Sequence, residues 1–216
     1  MANGGGNSDE SRLDRIIEIL AAIALSLATL LAAWSAFQSS KWGGVQSNDY
    51  ASAGATRTQS TQLSTAAGQL ATVDVTLFTQ WLNAKASSDT DLASFYEKRF
   101  RDEFKTAFDA WLKTEPFINP DAPDTPFEMN EYVVQLAVEA KRLSGEADSL
   151  SASARKANST GDRYVLMTVL FASVLFFAGI SSKFKAPWSR TSMIIIAFTV
   201  LIASTIAVFT FPIQLN

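Results

Sequence analysis

The chain has 216 residues, with 18 Lys and Arg against 21 Asp and Glu, and neither Cys nor His. Hydrophobic residues make up 48% and charged residues 18%, below the quarter or so of charged residues usual in a soluble domain. Disulfide frameworks, thiol nucleophiles, zinc-thiolate sites and the usual neutral-pH proton carrier are thereby excluded.

The leader 1–15 is rich in Gly and Asn and mixes Asp9, Glu10 and Asp14 with Arg12 and Arg15, a composition expected to stay disordered. The first apolar run follows at 16–37, broken only by Glu18. At 1.5 Å per residue it reaches roughly 33 Å, enough to cross a bilayer core. It is longer than the core of a signal peptide, and its acidic leader argues for a retained anchor. Glu18 sits in the first turn, where it favours the helix N-terminus rather than marking an ion path. Ala24, Ala28, Ala32 and Ala36 form a ridge at four-residue spacing. Such ridges let transmembrane helices pack backbone to backbone, either in an oligomer or against the other spans of the same chain.

Residues 38–163 form a polar segment expected to be an extramembrane helical bundle. Residues 45–86 are proline-free and rich in Ala, Ser, Thr and Gln. Leu63, Ala66, Leu70, Val73, Leu77 and Trp81 recur at three- and four-residue spacing, a helix stripe of heptad character. Gly43 and Gly44 allow a bend or a helix break; if the helix instead runs through, it continues the first span outward as a stalk. Ser87, Ser88 and Asp89 read as a stop and restart, Asp89 serving as N-cap. A second helix is expected over 89–113, with Leu92, Tyr96, Phe100, Phe104, Phe108 and Trp111 on an aromatic face. Pro116, Pro120, Pro123 and Pro126 make 115–126 a rigid loop. A third helix is expected over 128–160, its stripe running through Val133, Leu136, Ala140, Leu143, Ala147, Leu150, Ala154 and Ala157. The same register reaches Tyr164, so the helix should run in phase into the next span, with Gly161 as a possible interruption.

The second span is expected at 164–180 and the third at 193–211, neither carrying a charge, with a tail at 212–216. The loop 181–192 holds Lys183, Lys185 and Arg190 and no acid, and its Trp188 suits a membrane interface. By the positive-inside rule this loop and the N-terminus are cytoplasmic and 38–163 is periplasmic, although Arg155, Lys156 and Arg163 pull the other way. The expected fold is thus all-α: three transmembrane helices with a long antiparallel helical hairpin between the first and second, of coiled-coil character.

No catalytic, cofactor-binding or metal-binding residue is expected. Glu115, Asp121, Asp124 and Glu128 cluster at the proline loop, but their spacing fits no calcium loop, and turn and cap chemistry accounts for them. Asn158-Ser159-Thr160 matches a glycosylation acceptor, a triplet common by chance. No phosphate loop or nucleophile elbow is present, and a pI near 5 argues against nucleic acid. The candidate packing and oligomer interface comprises Ala24, Ala28, Ala32, Ala36, Leu136, Ala140, Leu143, Ala147, Leu150 and Ala154.

The Trp/Gln-rich exit of the first span (Trp34, Phe37, Gln38, Lys41), the Arg163-Tyr164 entry to the second and the closing two-span hairpin resemble uncharacterised bacterial three-span inner-membrane proteins. The resemblance implies a bacterial inner membrane and no chemistry. The expected role is non-enzymatic: an oligomeric assembly or scaffold in the lipid, its bundle self-associating or holding a protein partner. The alternatives are a sensor-like module signalling through a partner, and an oligomeric pore lined by Thr199, Ser204 and Thr205.

Overall fold

The computed structural model describes residues 6–215, with side chains at Arg12 and from Arg15 onward. It contains five α-helices and one 3-10 turn, and no strand among the described residues: α1 Gly6–Ala86, α2 Thr90–Glu97, α3 Asp102–Leu112, the turn Pro126–Glu128, α4 Gln135–Ser181 and α5 Pro187–Phe209. Residues 6–15, expected in a disordered leader, begin α1; the rest of that leader lies outside the described residues.

α1 has no proline, and eight of its hydroxyls bond within the helix. Ser26, Thr29, Thr58, Thr61, Thr65, Thr72, Thr76 and Thr79 each donate to the carbonyl four residues back, so they do not compete with the helical ladder. Gly43 and Gly44 do not break it. Its end is set by Ser88, at φ 57°. There the Asp89 N–H reaches Ala84 O at 2.9 Å and the Ser88 N–H reaches Lys85 O at 3.1 Å, the paired bonds of a Schellman cap. The Asp89 carboxylate then accepts the Leu92 N–H at 3.0 Å and starts α2.

The helix expected over 89–113 is two helices, α2 and α3, parted at Lys98–Arg101. Arg101 has extended backbone, φ −64° and ψ 149°. The helix expected from 128 begins at Gln135, after the turn Pro126–Glu128, and Val133 lies ahead of it, exposed. Gly161 does not interrupt α4.

Contacts divide the chain into two compact units, Met1–Tyr50 with Ser151–Asn216, and Ala51–Leu150. The core of the first joins Ala24 and Ala28 of α1, Tyr164, Met167, Phe171, Val174 and Ala178 of α4, and Ala197, Leu201 and Val208 of α5. Three helices are long and apolar enough to cross a membrane. Their large side chains largely face outward: Leu30 is 69% exposed, Phe176 61% and Ile206 64%. Apolar patches on that scale are foreign to a monomer in water and match an integral membrane protein.

The core of the second unit is aromatic. Phe78, Trp81 and Ala84 of α1 pack with Ala93, Phe100, Phe104, Phe108 and Trp111. The Trp81 and Phe108 rings meet edge to face at 4.7 Å, and Phe104 stacks on Phe127 at 5.1 Å. Such pairs add about 0.5–1.5 kcal/mol each beyond their buried area. The Trp111 indole N–H donates to Pro123 O at 2.7 Å and pins the proline loop to this core.

The buried row of α1 in this unit differs from the expected stripe. Ser60, Ala67, Asp74, Phe78 and Trp81 are buried, whereas Leu63, Ala66, Leu70 and Leu77 are half-buried and Val73 is exposed. Asp74 lies within this buried row, its carboxylate held by Arg101 and Tyr132.

Candidate functional site

Two polar constructions stand out, one in each unit. In the Ala51–Leu150 unit, Asp74 is fully buried. Its carboxylate accepts Arg101 Nε at 3.1 Å and Nη2 at 2.6 Å, and Tyr132 Oη at 3.1 Å. Arg101 also donates Nη1 to Glu103 at 2.5 Å, and Glu103 accepts the Gln135 N–H at 3.3 Å. One network thus ties α1, the start of α3 and the entry to α4.

The break between α2 and α3 serves this network, because the extended backbone at Arg101 delivers the guanidinium as a fork to the carboxylate. Hydrogen bonding to Asp74 raises the Arg101 pKa further above its already high value. Burial, with the Asp74 carboxylate beside it, pushes the Tyr132 phenol up to about 12. Both oxygens of Asp74 are engaged, so the node fixes the geometry of the three segments it joins.

In the other unit, Gln38 is fully buried. Its Nε2 donates to Gln214 O at 3.2 Å, and its Oε1 accepts the Gln214 N–H at 2.9 Å. Trp42 Nε1 and Tyr164 Oη both donate to Pro212 O, at 3.1 and 3.2 Å. The Phe211 ring meets Tyr164 edge-on at 5.4 Å. Residues of α1 and α4 therefore clamp the tail that follows α5. Beside the clamp, Gly161 is buried, and a Cβ there would lie 3.6 Å from Ser39 O and 3.7 Å from Trp42 Cβ.

Of the residues singled out in the sequence, Ala24 and Ala28 are fully buried against α4 and α5 residues of their own chain. Ala32 is half-buried and Ala36 exposed. On α4, Ala140, Leu143, Ala147 and Ala154 are buried, while Leu136 and Leu150 are half-buried. Ser60 Oγ donates to Ala140 O at 2.7 Å within this seam. An open groove of about 490 Å³ runs along it, lined by Ser64, Ala67, Gly68 and Ala71 of α1 and Ala137 and Ala140 of α4, among others.

At the proline loop, Glu128 accepts from Thr125 Oγ1, and among the described residues no three Asp or Glu side chains converge to hold a metal ion. Thr199, Ser204 and Thr205 donate to carbonyls of their own helix. Compared with protein-family models, curated proteins and solved structures, the chain matches none.

Sequence reasoning missed both constructions. For Asp74 a signal was present, since it is the sole charged residue between Arg57 and Lys85. Gln38 continues the row Ala24, Ala28, Leu31 and Ser35, but its partner is 176 residues away, beyond the reach of local pattern.

Proposed function

We propose that the chain is a non-enzymatic integral membrane protein with three spans, acting as an oligomeric scaffold whose 51–150 unit self-associates. The carrying observation is the open groove of about 490 Å³ between α1 and α4, lined by Ala, Gly and Ser, in the same unit as the Asp74 node. Small residues leave backbone within reach of an incoming helix, while Ser64 and Ser144 among its lining supply hydroxyls. Val75 and Leu82 on α1 and Val138 on α4 are exposed near the seam, and a second copy would remove them from water.

The antiparallel course of α1 and α4 in this unit is supported by the order of their contacts. Arg57 pairs with Asp148 at 2.8 Å, Ser60 with Ala140, and Asp74 with Tyr132, so one number falls as the other rises. The 3–4 spacing of buried positions on α4 supports a coiled-coil character. Placement in a bacterial inner membrane, with the N-terminus in the cytoplasm and 38–163 in the periplasm, rests on the layout it resembles and on the basic turn between α4 and α5.

Because the chain has no Cys, a single Ser64→Cys substitution gives an unambiguous cross-link. Mild oxidation of the full-length protein in membranes should yield a disulfide dimer from Ser64→Cys and none from Asn83→Cys, on the same helix but away from the groove. Absence of dimer from Ser64→Cys, with the thiol reactive to a soluble maleimide, overturns the proposal.

A further inference from the structure

The turn between α4 and α5, and the first residues of α5, read Ser182-Lys183-Phe184-Lys185-Ala186-Pro187-Trp188, every one exposed. Trp188 is 79% exposed and Phe184 38%. Neither Lys183 nor Lys185 has an ion-pair partner among the described residues. No Asp or Glu follows Asp162 anywhere in the sequence. Behind the turn, Glu18 of α1 lines a cavity of about 210 Å³ together with Ser181, Ser182 and Arg190. The two lysines stay outside that cavity.

We propose that this turn docks on anionic phospholipid headgroups: the ammonium groups of Lys183 and Lys185 meet lipid phosphates while Phe184 and Trp188 sink into the glycerol layer beneath. The inference rests on the reading of α4 and α5 as spans, which sets the turn at headgroup depth, where Trp rings settle and the surface charge of anionic lipid is strongest. Aromatic anchoring alone would make no distinction between headgroups. Two cations with no ion-pair partner among the described residues, alternating with the aromatics, gain only from a negative surface, and that asymmetry selects anionic over zwitterionic lipid. The alternation also explains why a turn of this length carries two large rings in the open.

The test uses the full chain, purified in mild detergent and stripped of lipid, then titrated with phosphatidylglycerol or phosphatidylcholine and followed by native mass spectrometry. Each lysine near a charged surface is worth roughly a fivefold change. Phosphatidylglycerol should therefore bind roughly 10- to 30-fold more tightly, and the preference should fall as salt is raised. A Lys183→Gln/Lys185→Gln variant should bind both lipids alike, whereas Lys183→Arg/Lys185→Arg should keep the preference; circular dichroism checks that each variant is folded.

Equal binding of both lipids by the unmodified protein overturns the proposal. So does displacement of phosphatidylglycerol by millimolar inorganic phosphate, which would mark a phosphate site rather than a lipid surface. Should the Gln variant fail to fold, the salt dependence of the unmodified protein decides, and a preference unmoved by salt counts against the lysines. The underlying reading fails separately: alkaline carbonate would then release the protein from vesicles. A protein that stays in the vesicles without lipid preference overturns the docking alone.

Discussion

Gln38 and Gln214 form a reciprocal pair, the side-chain amide of one giving and receiving a hydrogen bond with the backbone of the other at 3.2 and 2.9 Å. A buried primary amide demands both a donor and an acceptor, and the extended backbone of the tail supplies them together. Replacing Gln38 with Leu keeps the bulk and removes both hydrogen bonds to the Gln214 backbone. The expected cost is about 1–3 kcal/mol. It should be visible as a lowered melting temperature in detergent and as carboxypeptidase trimming back toward Pro212. A variant that melts unchanged and resists trimming would show that the pair holds nothing.

The Asp74 node makes a larger demand. Asp74→Ala leaves the Arg101 fork and the Tyr132 hydroxyl without their shared acceptor. Removing one member of a buried ion pair typically costs 3–5 kcal/mol. Arg101 keeps Glu103 and is 23% exposed, so about 2–4 kcal/mol is expected, read from thermal melting of the full chain. Asp74→Asn, which keeps an acceptor oxygen, should fall between the variant and the unmodified protein.

Tyr132 gives the node a signature in pH. Its phenol is held protonated up to about 12 in the folded chain, against about 10 for an exposed tyrosine. The folded state is therefore favoured in full below pH 10, and this contribution is lost as pH climbs from 10 through 12. Solvent access discounts the shift to the order of 1–2 kcal/mol. In an ultraviolet titration, Tyr132→Phe should remove one tyrosine's worth of late ionisation together with part of the alkaline loss of stability.

Gly161 faces Ser39 and Trp42, with room for one carbon at ordinary contact distance. Gly161→Ala should be tolerated, gaining up to about 1 kcal/mol of helix propensity. Gly161→Leu should force the two helices apart and weaken the Trp42 to Pro212 bond beside them, lowering the melting temperature and shifting Trp fluorescence.

Much of this architecture was legible. The three apolar runs, the proline loop, the stop at Ser87-Ser88-Asp89 and the seam of α4 follow from composition and three/four spacing, which are local properties. What escaped is what one segment asks of a distant one. The aromatic pattern of 89–113 reads as one helix, and its break exists because Arg101 must reach Asp74. Gly43 and Gly44 left a break or a continuous stalk equally open, and the helix runs through: glycine costs it only about 1 kcal/mol each, which the long Ala-rich flanks absorb. The row 63–77 was chosen for hydrophobicity, while the buried row holds a carboxylate, Asp74. The tail clamp pairs residues at opposite ends of the sequence, and no periodicity connects them.

We propose that this chain assembles through its α1–α4 groove while rooted in lipid. Light scattering of the full-length protein in mild detergent, with the detergent mass subtracted, tests it most directly. The protein mass should be a whole multiple, two or more, of 23.4 kDa, and Gly68→Trp, which fills the groove, should reduce it to one. A particle of single-chain mass across the concentrations at which it remains folded would contradict the account.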